Sequence, residues 1–198
     1  MGLTYFYRDL STLKLVVDKT IQHYNDSGSI NIWDAGCSRG AEPYTLAIIL
    51  REKLGKTAFG NVKIHATDLD PTGEFESIIS NGIYPAEEIQ RVPVDIQKKY
   101  FEDQGSTYLI CDEIKESITF KRHNLLTLKP IKTGFNLVLC KNVLLHFNAS
   151  QRRDVLTMFH ESLLDKGLFA IEQTQSIPSL LAHLFMKITA QTQIFQKK

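Results

Sequence analysis

The first half of the chain alternates between short apolar runs and longer amphipathic runs, and this alternation limits the folds open to it. Residues 30–36 ("INIWDAG") and 62–70 ("VKIHATDLD") have the apolar pattern of buried strands. Residues 42–55 and 73–85 each have a helical pattern with a glycine at or near its end. Strand, helix, strand and helix in this order predict a parallel sheet with crossover helices, which is an α/β fold.

The same alternation returns near the end of the chain. Residues 135–143 ("FNLVLCKNV") read as a buried strand, residues 150–167 as a helix and residues 168–173 ("LFAIEQ") as another strand. No repeat, linker or low-complexity tract separates the two halves. We therefore expect a single domain over residues 1–198.

The middle of the chain departs from this order. Two short β-type runs, Tyr108 to Cys111 and Ser117 to Lys121, flank a charged segment. They predict a β-hairpin inserted into the α/β unit as a small subdomain, over approximately residues 100–122.

Composition excludes several classes of protein. The 198 residues are 43% hydrophobic and 23% charged, which is typical of a soluble globular domain. A net charge of +1 argues against a nucleic-acid partner, and no apolar run is long enough for membrane insertion. The three cysteines and six histidines have no metal-ligand spacing, so we expect no metal, reduced thiols and a cytoplasmic protein.

The turn after the first strand is the strongest local sign of a binding site. In an open parallel sheet, ligands bind beyond the carboxyl ends of the strands, and Gly36 ends the first strand. Glycine lets the backbone approach a ligand because it has no Cβ. Asp68 ends the next strand, where a carboxylate accepts the hydroxyls of a ribose. Together Gly36 and Asp68 suggest a cofactor that contains a nucleoside.

The residues of the turn narrow the choice of cofactor. The turn lacks the spacing of a dinucleotide fingerprint, and it has no lysine for a phosphate loop. Glu42 would repel phosphate but would favour an ammonium or a sulfonium, and S-adenosylmethionine carries both. The alternative is a glycine turn that only tightens packing, with Glu42 interacting with the helix dipole.

Six segments in order along the chain resemble the catalytic domain of the chemotaxis-receptor glutamate methyltransferases, the CheR family. "AGCSRGAEPYTLA" is similar to the cofactor turn of that family, A-G-C-S-x-G-E-E-P-Y-S-L-A, and "LVLCKNVLLHF" resembles its F-C-R-N-V-x-I-Y-F. The other four are "TYFYRD", "ATDLD", "NGIYP" and "HNLL". Because the six matches are spread in order along the chain, from residue 4 to residue 147, they are far more specific than a lone glycine motif.

The resemblance implies a fold and a reaction. The fold is the seven-stranded S-adenosylmethionine-dependent methyltransferase (Rossmann-like) sheet with a small inserted β-subdomain. The reaction is methyl transfer from S-adenosyl-L-methionine, leaving S-adenosyl-L-homocysteine, to a protein carboxylate, most simply a glutamate of a chemotaxis receptor.

The resemblance also implies roles for individual residues. Arg8 matches the arginine at the reacting centre, Glu42 the acid that holds the methionyl portion and Asp68 the ribose-binding acid. Asn142 matches the asparagine beside the transferable methyl group. The other residues implied to bind the cofactor are Thr4, Gly36, Cys37, Gly40, Asn124, Leu125 and Val143.

Departures from the family pattern lie mostly on the substrate side. Ala41 replaces a glutamate, Lys141 replaces an arginine, and residues 170–176 do not keep G-H-S-E. His146 replaces a tyrosine implied to help place the substrate, so it is a candidate catalytic residue. It could act as a base, keep the hydrogen bond of the tyrosine, or only pack; the other five histidines are interpreted as structural.

The departures leave three functions open. The first is methylation of a protein carboxylate, where Arg8 would orient the anion with two parallel hydrogen bonds. The second is a diverged member that binds the cofactor and acts through a partner, and the third is methylation of a small molecule. The chain begins at the arginine segment, so we expect the N-terminal docking domain of the family to be missing and a separate docking chain to be a candidate partner.

Overall fold

The computed structural model describes residues 4–23 and 28–198. Within them, ten strands form two sheets: β1 (Ile30–Ala35), β2 (Val62–Asp68), β3 (Ile83–Pro85), β4 (Phe101–Asp103), β5 (Thr107–Ile110), β6 (Ile118–Arg122), β7 (Phe135–Cys140), β8 (Leu163–Ile171), β9 (Phe185–Lys187) and β10 (Ile194–Lys197). The helices are α1 (Leu10–Gln22), α2 (Ala41–Phe59), α3 (Phe75–Asn81), α4 (Ala86–Ile89), α5 (Val94–Tyr100), α6 (Asp112–Lys115) and α7 (Ala149–Ser162). In this part of the chain, no helix is both long enough and apolar enough to cross a bilayer.

The larger sheet has the strand order β6-β2-β1-β7-β8-β10-β9 over the described residues. Strands β6, β2, β1, β7 and β8 are parallel, and β10 is antiparallel to both β8 and β9. From β1 the chain adds β2 and then β6 on one side of the sheet. It then returns to the centre, where β7 lies beside β1, and adds the remaining strands on the other side. The predicted seven-stranded α/β sheet is confirmed, and its order reverses between β1 and β7, which is where ligands bind in such sheets.

The central strands are apolar because helices cover both faces of the sheet. Neighbouring residues of a strand point to opposite faces, so Ile32 packs with the residues of α1 and α2. Trp33, the next residue, packs on the other face against Phe159 of α7, with ring centroids 5.1 Å apart. The two apolar layers hold the carboxyl ends of β1 and β7 side by side.

The predicted β-hairpin is wrong. β5 pairs antiparallel with β3 and β4 in a separate three-stranded sheet, whereas β6 pairs parallel with β2 at the edge of the large sheet. The charged segment between β5 and β6 forms α6, which carries the chain from one sheet to the other. The small sheet therefore uses residues 83–110. A β-type run shows that a segment is extended, but the partner strand is chosen by tertiary packing.

Two predicted helix ends also differ from the structure. α7 ends at Ser162 and the chain enters β8 at once, where Leu163 pairs with Phe135 ahead of an irregularity in the register. α2 continues past its predicted end to Phe59, although Gly55, with φ +74°, breaks the helical geometry there. Both differences concern the last residues of a helix, and the identity of one residue does not determine where a helix ends.

Candidate active site

A cavity of about 460 Å³ lies at the carboxyl ends of β1, β2 and β7. It is at the reversal of strand order, where the sequence predicts the ligand. The structure brings nearly all of the predicted site residues to its wall: Thr4, Arg8, Gly36, Cys37, Glu42, Asp68, Asn124, Leu125, Asn142, Val143 and His146.

Gly36 has a packing role in addition to its place in the cavity wall. Its φ is +100°, and a Cβ at this position would lie 2.1 Å from Cγ2 of Val143. The turn is held to β2 because the amides of Gly36 and Cys37 donate to the carbonyl of Thr67, at 2.7 and 3.0 Å. Close packing is therefore enough to explain why residue 36 is a glycine. The backbone of Gly36 also borders the cavity.

Gly40, which was predicted to bind the cofactor, does not line the cavity. It precedes α2 with φ +95°, and a Cβ there would lie 2.6 Å from Cγ1 of Ile79 and 2.8 Å from the Tyr84 hydroxyl. Position 40 requires a glycine because a Cβ would collide with Ile79 and Tyr84, against which the turn packs.

Asp68 links the first two loops of the site. At the end of β2, its Oδ2 accepts from the amide of Ser38 at 2.9 Å and its Oδ1 accepts from the amide of Asp70 at 3.1 Å. Each carboxylate oxygen can accept a further hydrogen bond. Asp68 therefore orients the glycine turn and retains acceptor capacity for a ligand in the cavity that it lines.

The segment before α1 places Arg8 at the cavity. Phe6 is fully buried, with edge contacts to Tyr84 at 4.9 Å and to Phe101 at 5.6 Å between ring centroids. The amide of Tyr7 donates to Oγ1 of Thr45 at 3.1 Å. These contacts anchor the segment against α2 and the small sheet, so the guanidinium of Arg8 is presented by a fixed backbone.

Lys141 follows β7 and its side chain is only 2% exposed. Its Nζ lies 2.8 Å from Oδ2 of Asp9 and 3.1 Å from Oε2 of Glu42. Burial by itself lowers the pKa of Lys141, but Glu42 and Asp9 outweigh that effect and raise it. The charged ammonium therefore ties the start of α1 and the start of α2 to the end of β7.

Asp34 is a residue of this site that the sequence analysis missed. It is 0% exposed, and within the described residues neither of its oxygens receives a hydrogen bond from a donor. Burial, followed by the neighbouring Glu42, raises the pKa of Asp34 well above its usual range, and Lys141 only partly opposes this. Burial therefore favours the protonated form of Asp34. The signal in the sequence was a carboxylate inside an apolar strand.

The stability of the protein should depend on pH through Asp34. A carboxyl whose pKa is raised by folding binds more protons in the folded state, so stability falls as pH rises above the ordinary value of about 3.9. Asparagine does not ionise, so Asp34→Asn removes this loss. We expect the variant to gain unfolding free energy relative to the parent between pH 4 and pH 7. Chemical denaturation at both pH values measures it, and a constant difference would contradict the assignment.

Glu172 is a second residue that the sequence analysis missed, and it lies where the chain departs from the family pattern. It follows β8, is 6% exposed, and its Oε2 accepts from the amide of Asn142 at 3.0 Å. Asn142 has φ +59°, so this bond stabilises a backbone conformation that non-glycine residues seldom adopt. Glu172 thereby orients the loop that carries Asn142 into the cavity wall.

The two histidines at the cavity differ in burial. His146 is exposed, in the 3₁₀ turn Leu144–His146, so the interpretation of His146 as a packed residue is not supported. His123, interpreted as structural, also lines the cavity, with its ring centroid 5.8 Å from that of Trp33. Burial, with a smaller effect of Lys121, lowers the pKa of His123 and favours its neutral form.

These residues fit S-adenosylmethionine. Glu42 places a carboxylate in the cavity wall, which suits a cationic amino-acid portion. Asp68 offers carboxylate oxygens at the end of β2, and Leu125 offers an apolar surface for a base.

Comparison with known proteins gives a family match over nearly the whole chain. The family described as "CheR methyltransferase, SAM binding domain" matches residues 2–194. The chain is 32% identical over 164 residues to the chemotaxis protein methyltransferase of Listeria innocua, covering 83% of this chain and 60% of that protein. It is 27% identical over 190 residues to chemotaxis protein methyltransferase 2 of Vibrio cholerae, covering 93% and 65%. The chain thus spans less than two thirds of these relatives.

Solved structures share the fold at low identity. The CMeT domain of the citrinin polyketide synthase has a TM-score of 0.51 and 17% identity, covering 86% of this chain and 36% of that one. The DszA carbon methyltransferase has a TM-score of 0.51 and 14% identity, covering 83% and 36%. Both agree with the methyltransferase sheet described above.

Proposed function

This chain belongs to the CheR methyltransferase family as its S-adenosylmethionine-binding domain, and from that premise we propose that it methylates a carboxylate of a protein, most simply a glutamate of a chemotaxis receptor. The relatives are named chemotaxis protein methyltransferases, which supports a receptor as the substrate. The observation that carries the proposal is the single cavity wall shared by Arg8, Glu42, Asp68 and Asn142.

The residues of the cavity have separate roles in this reaction. When bound, S-adenosylmethionine supplies a methyl group that a nucleophile displaces from sulfur. A carboxylate acceptor is ionised at pH 7 and needs no general base, so the protein has to position it and exclude water. Arg8 can hold both oxygens of the acceptor in one plane. Glu172 holds the loop of Asn142, whose amide donates to its carboxylate.

Transfer of a labelled methyl group tests this function. The chain is incubated with methyl-labelled S-adenosylmethionine and a membrane fraction that contains receptors, and the washed protein is then treated with base. Carboxyl methyl esters release labelled methanol, whereas methylated amines and ethers keep the label. Base-labile label on receptor bands is the expected result, and base-stable label would exclude a carboxylate acceptor.

A second function is favoured by one observation. Glu42, which the family resemblance assigns to the methionyl portion, is already bonded to Lys141. A site of this kind could hold the cofactor without transferring its methyl group, and the chain would then act through a partner. Tight cofactor binding with no transfer to any fraction would favour this second function.

Cofactor affinity should depend on Asp68. Asp68→Ala removes the carboxylate proposed to bind the ribose and also the acceptor for the Ser38 amide, so we expect binding to weaken by about 1–3 kcal/mol. Isothermal calorimetry measures the loss, and a thermal melt shows that the variant is folded. Asp165→Asn, at an exposed position near the start of β8, is the control. Unchanged affinity in Asp68→Ala would remove the ribose assignment.

A further inference from the structure

The segment that carries Arg8 has an unusual backbone. Tyr7 has φ +63° and Asp9 has φ +51°, so the residues on both sides of Arg8 are in the left-handed region. Residues other than glycine seldom adopt this region, and a bulky residue such as tyrosine is an outlier there. Such conformations cluster at functional sites and persist only where the surrounding structure holds them in place. The two left-handed residues therefore need contacts that hold them.

The first such contact joins Tyr7 to α2. Its amide donates to Oγ1 of Thr45 at 3.1 Å, and the same hydroxyl donates to the carbonyl of Ala41 at 2.7 Å. Thr45 is 1% exposed, and a hydrogen bond is stronger in such a dry environment than in water. The left-handed tyrosine is therefore tethered to α2 through one buried hydroxyl.

The second contact joins Asp9 to the end of β7. Asp9 is the residue before α1, a position where the carboxylate of an aspartate commonly accepts from the first amides of the helix. Among the described residues, the carboxylate of Asp9 caps no amide of α1, and its Oδ2 lies 2.8 Å from Nζ of the buried Lys141 instead. The carboxylate therefore tethers this segment to the site rather than capping the helix.

We propose that Thr45 and Asp9 are positioning residues, which together hold the guanidinium of Arg8 at the cavity. The inference rests on the proposed function, in which Arg8 orients the acceptor carboxylate. Because one tether acts just before Arg8 and the other just after it, the backbone on both sides of Arg8 is fixed. A guanidinium that has to form two parallel hydrogen bonds tolerates little displacement of its own backbone.

Turnover measures the effect of each tether. Asp9→Ala removes the ion pair and Thr45→Val removes the acceptor for the Tyr7 amide, so we expect each to lower kcat by about tenfold or more. Cofactor affinity, measured by calorimetry, should change less than kcat does. Thr45→Ser keeps the hydroxyl, and Asp9→Asn keeps an acceptor in a residue that tolerates the left-handed region. Both conservative variants should therefore retain most of the activity.

Two variants are matched controls. The side chain of Asp18 is 43% exposed and pairs with Lys53 at 2.6 Å, while that of Asp9 is 48% exposed. Thr157 in α7 donates to the carbonyl four residues earlier, as Thr45 does in α2. Neither Asp18 nor Thr157 is in the cavity wall. Asp18→Ala and Thr157→Val should therefore transfer methyl groups as fast as the parent.

Combination with Arg8→Ala separates positioning from a general loss of structure. If Asp9 acts through Arg8, adding Asp9→Ala to Arg8→Ala should lower kcat by no more than about twofold further. A general defect would lower kcat in that background as much as in the parent. Unchanged kcat in both Asp9→Ala and Thr45→Val would overturn the proposal, and so would an undiminished effect of Asp9→Ala in the Arg8→Ala chain.

Hydrogen exchange of the Tyr7 amide tests the tethers without turnover. This amide is bonded in the parent, so we expect its exchange, followed by NMR, to be about tenfold or more faster in Asp9→Ala and unchanged in Asp18→Ala. Equal exchange in the parent and Asp9→Ala would overturn the proposal even if the chain is an active enzyme. If the parent transfers no methyl group but exchange accelerates as expected, the proposed function fails and the positioning of Arg8 is supported.

Discussion

Replacing Arg8 with alanine is expected to lower kcat by about 100-fold or more, with little change in cofactor affinity. The guanidinium would orient the acceptor carboxylate and balance its charge as the sulfonium charge disappears. An interaction that matters most in the transition state is seen in kcat. Arg8→Lys keeps the charge but loses the two-pronged geometry, so we expect that variant to be impaired as well.

Arg91→Ala is the matched control for this experiment. Arg91 lies over the ring of Tyr5 at 4.0 Å, and Arg8 approaches the same ring at 6.0 Å. Of the two arginines, Arg8 is in the cavity wall. Labelled methyl transfer and calorimetry on both variants separate turnover from binding. If Arg8→Ala and Arg91→Ala transfer methyl groups equally fast, Arg8 has no part in the reaction.

Replacing Lys141 with methionine is expected to lower the free energy of unfolding by about 1–3 kcal/mol, because Glu42, whose side chain is 16% exposed, would lose its cation. Because folding raises the pKa of Lys141, its contribution is present at neutral pH and is lost as pH rises above the ordinary lysine pKa of about 10.4. Urea denaturation at neutral pH measures the change.

Lys53→Met is the control for an ion pair outside the site. The side chains of Lys53 and Asp18 are 36% and 43% exposed, so we expect a loss of about 0–1 kcal/mol. Lys141→Arg should restore most of the stability, since it keeps the charge. A similar small loss in Lys141→Met and Lys53→Met would show that the buried network does not stabilise the fold.

The sequence by itself determined the class of the sheet and the ends of its central strands. Apolar runs of strand length, separated by helical runs, leave few arrangements other than a parallel sheet. Gly36 and Asp68 were recognisable because a strand end followed by a turn is a local pattern. The ordered motifs then identified the family and most of the cavity wall, from Arg8 to Asn142.

Only the tertiary structure decided which strands pair and which charges meet. β5 and β6 look alike as sequence, but they belong to different sheets because α6 carries the chain between them. Asp34, Glu42 and Lys141 lie up to 107 positions apart (141 − 34), and no local pattern indicates that they share one buried site. Hydrophobic periodicity reports which face of an element is buried, whereas the pairing of buried charges depends on how separate elements pack together.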